Sequence, residues 1–447
     1  MNNDLPLAGI RVLDLTSVWA MPYACGMLTD YGAEVIKIGA LQRLDTTRNA
    51  GTYADQDSGP YPWNAPGTFS VINRGKRSLM LNMADERGRE LFRELVKTAD
   101  IVVENFTARV MRNWKLDYEH LKELRPDIIM VSNTGYGHGG PWESYPVQGT
   151  ALEATTGIPN YTGYVGGRPW TAVQSYPDFV ACWHGLFGIM SALRRREVTG
   201  QGQWIDCGMY AANVSMIGEG ILDYVANGRL GERIGNRDYI NGVQGVYQTQ
   251  GDDQWMAVTA ATDAEWLALR NVVGDQLWGT SKPPATLAEA RSRHDEVDAV
   301  LTAWAVTQTR EGSVETMRAA GLASGPVNDA RDLFLDPQIK ERGLYELVLQ
   351  APESNAGIRP VIGRAFHASE TKFKVQRPAP PLGEGNEYVL KEILGLSDSE
   401  FADLEADKLT GKKPPVEPET GLPIDALLGV RRIRIHDADY KKVIGLV

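Results

Sequence analysis

The first 132 residues alternate short apolar strands with helix-forming stretches, and this constrains the chain more than any other feature. Residues 9–15 read as a strand, 22–31 as a helix and 33–38 as the next strand. A second round follows, with a strand at 78–82, a helix at 85–97 and a strand at 100–104. The stretch 121–124 then leads through Arg125-Pro126 into a further strand at 127–132. Strands alternating with helical patterns imply a parallel sheet with crossover helices, so the fold class is α/β.

Beyond the sheet the pattern changes. Residues 142–177 are rich in Gly, Pro and aromatics and irregular, as expected of a long active-site segment. A helix begins near Pro177, and a second apolar stretch covers 209–226. A Gly-rich entry at 231–245 opens a smaller unit, with strands at 246–249 and 255–258 and helices around 263–273 and 287–306. Gly325-Pro326-Val327 opens a return, 390–396 and 397–409 read as terminal helices, and 430–435 is a basic, strand-like piece of the tail. The expected division is 1–208 for the N-terminal part of a large domain, 209–230 for a linker helix, and 231–330 for a small domain. Residues 331–411 then return to the large domain, and 412–447 form a C-terminal tail.

Charge narrows the partners. With 46 basic and 57 acidic residues the net charge is −11, which offers no field for nucleic acid. No run approaches the roughly 20 apolar residues of a membrane span, and the N-terminus shows no signal peptide. Three scattered cysteines, Cys25, Cys182 and Cys207, fit a reducing compartment, so the expected location is the cytoplasm. The sequon Asn105-Phe106-Thr107 then carries no meaning.

Several motifs are weaker than they look. Gly135-Tyr136-Gly137-His138-Gly139-Gly140 satisfies G-x-G-x-x-G after a strand, yet Pro141 and Trp142 follow where a dinucleotide site needs a helix N-terminus. The six histidines and three cysteines show no metal-ligand spacing, and no G-x-S-x-G elbow supports a serine hydrolase. His184 reads as a packed or capped histidine. Asp178 is different. It follows Pro177 and precedes the apolar run 179–193, so local sequence reads it as a helix N-cap. A lone carboxylate at the mouth of a buried helix also suits acyl-anhydride chemistry.

The frame around Asp178 decides between these. Pro177-Asp178, a Gly-containing apolar helix, Arg194-Arg195-Arg196 and Thr199-Gly200-x-Gly202-Gln203-x-Ile205-Asp206 resemble the family III CoA-transferases, the group of formyl-CoA and carnitine CoA-transferases. Further matches are the 33–38 strand, Asp45-x-x-Arg48, Asn73-x-x-Lys76-Arg77-Ser78, Glu104-Asn105-Phe106 and the Gly135–Pro141 turn. Downstream, Ala323-Ser324-Gly325-Pro326-Val327, Asp336-Pro337-Gln338, Arg342-Gly343 and Pro381-Leu382-Gly383-Glu384-x-Asn386 also match. The resemblance runs from residue 8 to about 410. It departs at Gly39-Ala40, where the family has an acidic residue, and at Thr259–Asp263, where formyl-CoA transferases carry a Gly-rich flap.

The resemblance implies a Rossmann-like large domain, a smaller α+β domain and an interlocked dimer, or a hetero-oligomer with a related subunit. It places the nucleophile at Asp178 and oxyanion donors near Gln148 and Gly149. Contacts to coenzyme A fall at Trp19, Ala20, Arg48, Asn73, Lys76, Arg77, Asn105 and Phe106. Coenzyme A is then a substrate, as acyl-CoA beside a small carboxylic acid, with no tightly bound cofactor, metal or membrane partner. The start of the helix is expected to keep Asp178 ionised. Two alternatives stay open. An α-methylacyl-CoA racemase shares the fold, but Val147-Gln148-Gly149 stands where its catalytic His would be, and Gln cannot exchange an α-proton. A non-catalytic subunit would be free to lose Asp178. Trp19, Trp114, Trp170 and Trp183 point to a bulky acceptor acid with succinyl-CoA as donor, or equally to core.

Overall fold

The computed structural model describes residues 4–49, 52–172, 176–238, 240, 242–418 and 421–446. Ser175 of the nucleophile motif and Tyr239 and Asn241 of the Gly-rich entry lie outside them. The chain divides into two units, one of 1–158, 171–222 and 337–447 and one of 159–170 and 223–336.

In the first unit six parallel strands form one sheet in the order β3-β2-β1-β4-β5-β6. They are β1 (Arg11–Asp14), β2 (Glu34–Gly39), β3 (Arg77–Met80), β4 (Ile101–Glu104), β5 (Ile129–Ser132) and β6 (Gln203–Asp206). The helices are α1 (Ala20–Asp30), α2 (Gly67–Ile72), α3 (Glu86–Val96), α4 (Arg109–Asn113), α5 (Tyr118–Leu124), α6 (Gly149–Thr155), α8 (Tyr176–Thr199) and α9 (Met209–Val214), while α7 (Ile158–Tyr161) and α10 (Gly218–Asn227) each span a boundary of the units. Neighbouring residues of each strand point to opposite faces, so one buried run feeds two cores. Leu13, Ile36, Leu79, Val102 and Met130 pack with Phe92, Leu95 and Leu121. Val12, Val35, Ile101, Val103 and Val131 pack on the other face with Met21, Leu28, Cys182 and Ile189. All eleven residues of α1 are buried, and a Cβ at Gly185 of α8 would meet Met21 Sδ at 2.6 Å, so glycine lets the two helices close up.

The strand order reverses between β1 and β4, and in such sheets ligands bind at the carboxyl ends beside that reversal. The turn after β1 and the Asn105-Phe106 loop after β4 both stand there.

The second unit has an antiparallel three-stranded sheet, β7 (Val243–Gln248), β8 (Trp255–Ala260) and β9 (Ala323–Pro326). Tyr247, Met256, Trp266, Leu269, Leu301, Trp304 and Met317 are in its core. Residues 159–170 cluster with this unit, and the 421–446 segment clusters with the first. There Asp55 accepts from Arg359 Nη2 and Lys441 Nζ, each at 2.9 Å, and also meets the Tyr440 hydroxyl.

Several elements differ from the sequence reading. The 209–226 stretch is not one helix. It divides into α9, a 3-10 turn at Ser215–Ile217 and α10, where Ser215 and two glycines weaken helix propensity. The 287–306 helix breaks at Arg293 into Leu287–Ser292 and His294–Ala305, the first capped by Thr286. The 390–396 helix is a wide π turn at Tyr388–Ile393. The strand-like 430–435 piece is irregular: Arg431 has φ 54°, and the piece joins none of the sheets. Among the described residues no helix is long and apolar enough to cross a membrane.

Candidate active site

Two carboxylates, Asp14 fully buried and Asp178 half-buried, flank the turn that connects β1 to α1. Asp14 closes β1. Its Oδ1 accepts Thr16 N–H at 2.9 Å and the Thr16 hydroxyl at 2.5 Å, and its Oδ2 accepts Lys76 Nζ at 2.7 Å. Burial pushes the Asp14 carboxyl up, but Lys76 and Lys37 outweigh it and hold the group below the ordinary range. On the other side of the turn Ala20 begins α1, and its N–H favours the charged form of the Asp178 carboxyl.

Asp178 lies in the first turn of α8, so it is a helical residue and not the N-cap that local sequence suggested. Asn213 of α9 anchors that turn, giving Nδ2 to Pro177 O at 3.1 Å and to Met209 O at 2.9 Å. A Cβ at Gly149, the first residue of α6, would overlap Asp178 Oδ2 and lie 3.4 Å from Cγ, so only glycine leaves room there for the carboxylate. Among the described residues no ion pair engages Asp178. Burial therefore pushes its carboxyl up to about 6, against the lowering by the Ala20 N–H and its own N–H. Burial thus works against the helix start expected to keep Asp178 ionised, although the group stays mostly charged at neutral pH.

The structure brings Asp178, Gly149, Ala20 and Trp19 together. Trp19 stands at the N-cap of α1 with its ring 5.9 Å from that of Phe179, and its buried Nε1 has no hydrogen-bond partner among the described residues. Gln148 caps α6 by position only; its side chain is exposed and makes no cap hydrogen bond. Asn105 reaches the same turn from β4, accepting Ser17 N–H at 2.9 Å and donating to Ser17 O at 2.7 Å. Phe106 gives its N–H to Glu104 Oε2 at 2.8 Å and packs edge-on against Trp114. Glu104, buried at the end of β4, is pushed up to about 7 by that burial.

The basic residues do not present free cations. Lys76 is fully buried, and its ammonium donates at 2.7 Å to each of Asp14 Oδ2, Pro22 O and Asn73 Oδ1. Asn73 is fully buried as well and ties itself to Phe69 O. Arg48, 3% exposed, donates to Trp63 O, Asn64 Oδ1 and Pro380 O and lies 3.6 Å above the Phe69 ring; burial lowers its pKa to about 9. Arg77, half-exposed, faces Glu34 at 3.5 Å and Glu384 at 3.8 Å. Arg48, Asn73 and Lys76 thus act as internal struts here.

The four tryptophans do not make one pocket. Trp114 packs on the sheet core, and Trp170 belongs to the second unit, under Arg168. Trp183 lies edge-on to Tyr23, which also meets Phe179. His184 is exposed, with Nδ1 2.8 Å from Val180 O, so it is not packed. The Gly135–Pro141 turn ends without a helix; Asp206 Oδ2 accepts His138 N–H at 2.8 Å, and its Oδ1 is 3.1 Å from His138 Nδ1.

The arrangement is a half-buried, unpaired carboxylate at a helix start beside a sheet switch point. The sequence pattern of CoA-transferase family III matches residues 7–386. The chain belongs to CoA-transferase family III. It is an enzyme, a transferase of a family that uses CoA thioesters as substrates. Its curated relatives include the succinyl-CoA–L-malate CoA-transferase beta subunit of Chloroflexus aurantiacus, 30% identical over 91% of this chain and 98% of the relative. The succinate–glutarate CoA-transferase of Agrobacterium fabrum is 30% identical over 88% and 96%. Among solved structures, a CAIB/BAIF family protein from Brucella suis superposes with a TM-score of 0.78 at 27% identity, over 87% of this chain and 99% of that one.

Sequence reasoning missed Val18 and Asn213. A Val between a strand and a helix gives no sign of a positive φ, and an Asn inside an apolar helix reads as an exposed polar residue.

Proposed function

We propose that this family III CoA-transferase moves CoA from succinyl-CoA to a small organic acid through an acylated Asp178. The single observation that carries this reading is the carboxylate itself, half-buried, without a cation, and raised to about 6. Such a group is more basic than an exposed aspartate yet still mostly ionised at pH 7, which suits a nucleophile.

An Asp178 oxygen attacks the thioester carbonyl carbon, the C–S bond breaks, and CoA thiolate leaves a mixed anhydride. The thiolate attacks the aspartyl carbonyl, the C–O bond breaks, and the donor acid departs as carboxylate, leaving an aspartyl-CoA thioester. The acceptor carboxylate repeats the sequence in reverse, so no net proton is taken or released. Gly149 admits the tetrahedral centre beside the carboxylate, and the unsatisfied Trp19 Nε1–H and the α6 N-terminus supply donors for its oxyanion. Trp19, Ala20, Asn105 and Phe106 rim the switch-point crevice proposed for CoA.

The names of the relatives support succinyl-CoA as donor and a small acid such as a dicarboxylate as acceptor. The apolar surface of α8, with Trp183 48% and Phe187 76% exposed, and of α10, with Leu222 66% and Val225 76% exposed, supports an interlocked dimer whose partner chain covers these faces. A relative designated a beta subunit favours a second reading, a hetero-oligomer with a related chain. The test is a panel of acyl-CoA donors and acids assayed with the pure chain. Transfer from succinyl-CoA that disappears in Asp178→Asn supports the reading; transfer that survives the substitution overturns it.

A further inference from the structure

Val18 holds φ 73°, the left-handed region that a β-branched residue occupies only under constraint. The constraints are all side chains of neighbouring strands and loops. Asn105 grips Ser17 from both sides, accepting its N–H at 2.9 Å and donating to its carbonyl at 2.7 Å. Asp45 Oδ1 accepts the Val18 N–H at 3.3 Å, and Lys37 Nζ, 3.0 Å from Asp45 Oδ2, donates to Thr16 O at 2.7 Å. Next to Val18, Trp19 sets its ring 5.9 Å from that of Phe179, the residue after Asp178, and Ala20 opens α1 with an N–H that favours the charged Asp178 carboxyl. A strained turn held from outside and ending on a reactive group is the arrangement expected of pre-organisation.

We propose that Asn105 is a positioning residue, which holds the Ser17-Val18 turn in its strained form and so sets Trp19 and the start of α1 against the Asp178 turn. This rests on the reading of Asp178 as nucleophile and revises the family-based expectation for Asn105, since the acceptor and one donor of its amide are spent on the chain's own backbone. Two backbone N–H groups, from Ala20 and from Asp178 itself, oppose the burial that raises this carboxyl. The titratable neighbour on the same helix is Cys182, whose thiol burial pushes up to about 12 and so keeps neutral. Gly149 on α6 brings no charge. Turning the Ala20 N–H away therefore raises the carboxyl's pKa further.

The test compares the wild type with Asn105→Ala, Asn105→Asp and the double variant Asn105→Ala/Val18→Gly. Asn105→Ala should lower kcat by roughly 10- to 100-fold and move the acid limb of the kcat profile to higher pH, with KM for the acyl-CoA nearly unchanged. Deuterium exchange in peptides spanning residues 16–21 should speed up. Asn105→Asp keeps the acceptor for Ser17 N–H and should fall between. Glycine adopts this backbone without a clamp, so the double variant should recover part of kcat and bring the limb back. A raised KM with an unmoved limb and unchanged exchange would overturn the proposal and make Asn105 a ligand contact. The exchange measurement does not depend on which residue is the nucleophile, so a fully active Asp178→Asn would sink that reading while exchange still decides the role of Asn105.

Discussion

Asp14 and Asp178 touch the same short turn from opposite sides, and their environments could hardly differ more. Asp14 is fully buried against the ammonium of Lys76, two threonine donors saturate one of its oxygens, and its carboxyl is held low. Asp178 is partly open, has only two backbone N–H groups to favour its charge and no cation among the described residues, and is pushed up to about 6. Burial is common to both. The partner decides whether a buried carboxylate becomes structure or chemistry, because an opposite charge removes the electron pair's reactivity along with its desolvation cost.

The sharpest way to break this contrast is to exchange the consequences. Asp178→Asn should reduce CoA transfer by more than about 10³-fold. Folding should survive, as a thermal melt against the wild type would show. Because ionising a raised carboxyl disfavours the folded state above pH 3.8, that variant should even gain on the order of 1 kcal/mol at pH 7 after allowance for screening and gain nothing near pH 3.

Next in size is the structural partner. Lys76→Met leaves Asp14 charged and alone in the core and should cost about 3–5 kcal/mol in urea denaturation. Adding Asp14→Leu should return much of that loss.

The two pH responses should fall in different windows. Below pH 6 the transfer rate should fall about tenfold per unit as Asp178 protonates. Asp14 is lowered, so its contribution to stability is present above its unfolded pKa and is lost only as pH falls below about 4. Stability and rate measured across pH 3–8 separate the two groups.

The smallest effect is expected at Arg77. Its half-exposed contacts with Glu34 and Glu384 should make Arg77→Ala cost less than about 1 kcal/mol, in contrast to the neighbouring Lys76.

The strands of the sheet were readable because parallel strands buried on both faces leave continuous apolar runs such as 101–103. The edge strand β6 was not, since Gln203-Trp204-Ile205-Asp206 alternates exposed and half-buried positions. At the site, the place of Asp178 at the start of a helix was legible through its flanking motifs, whereas the contacts of Lys76, Arg48 and Asn105 were not. A basic or amide residue near a strand end looks the same in sequence whether it faces a ligand or a buried carboxylate; only the fold shows that Lys76 is fully spent on Asp14, Pro22 and Asn73. Val18 shows the limit most clearly, because its backbone is set by Asn105 and Asp45 from distant parts of the chain.

The central claim is that Asp178 carries the acyl group while Asp14 never does. The direct measurement is to incubate the enzyme with succinyl-CoA, quench with hydroxylamine and locate the modification by peptide mass spectrometry. Hydroxylamine attacks an aspartyl anhydride or thioester carbonyl and expels the leaving group, whereas it leaves a carboxylate untouched. An aspartyl hydroxamate should form at Asp178, dependent on the donor and absent from the Asp178→Asn enzyme. A hydroxamate at another residue, or none during active turnover, would contradict it.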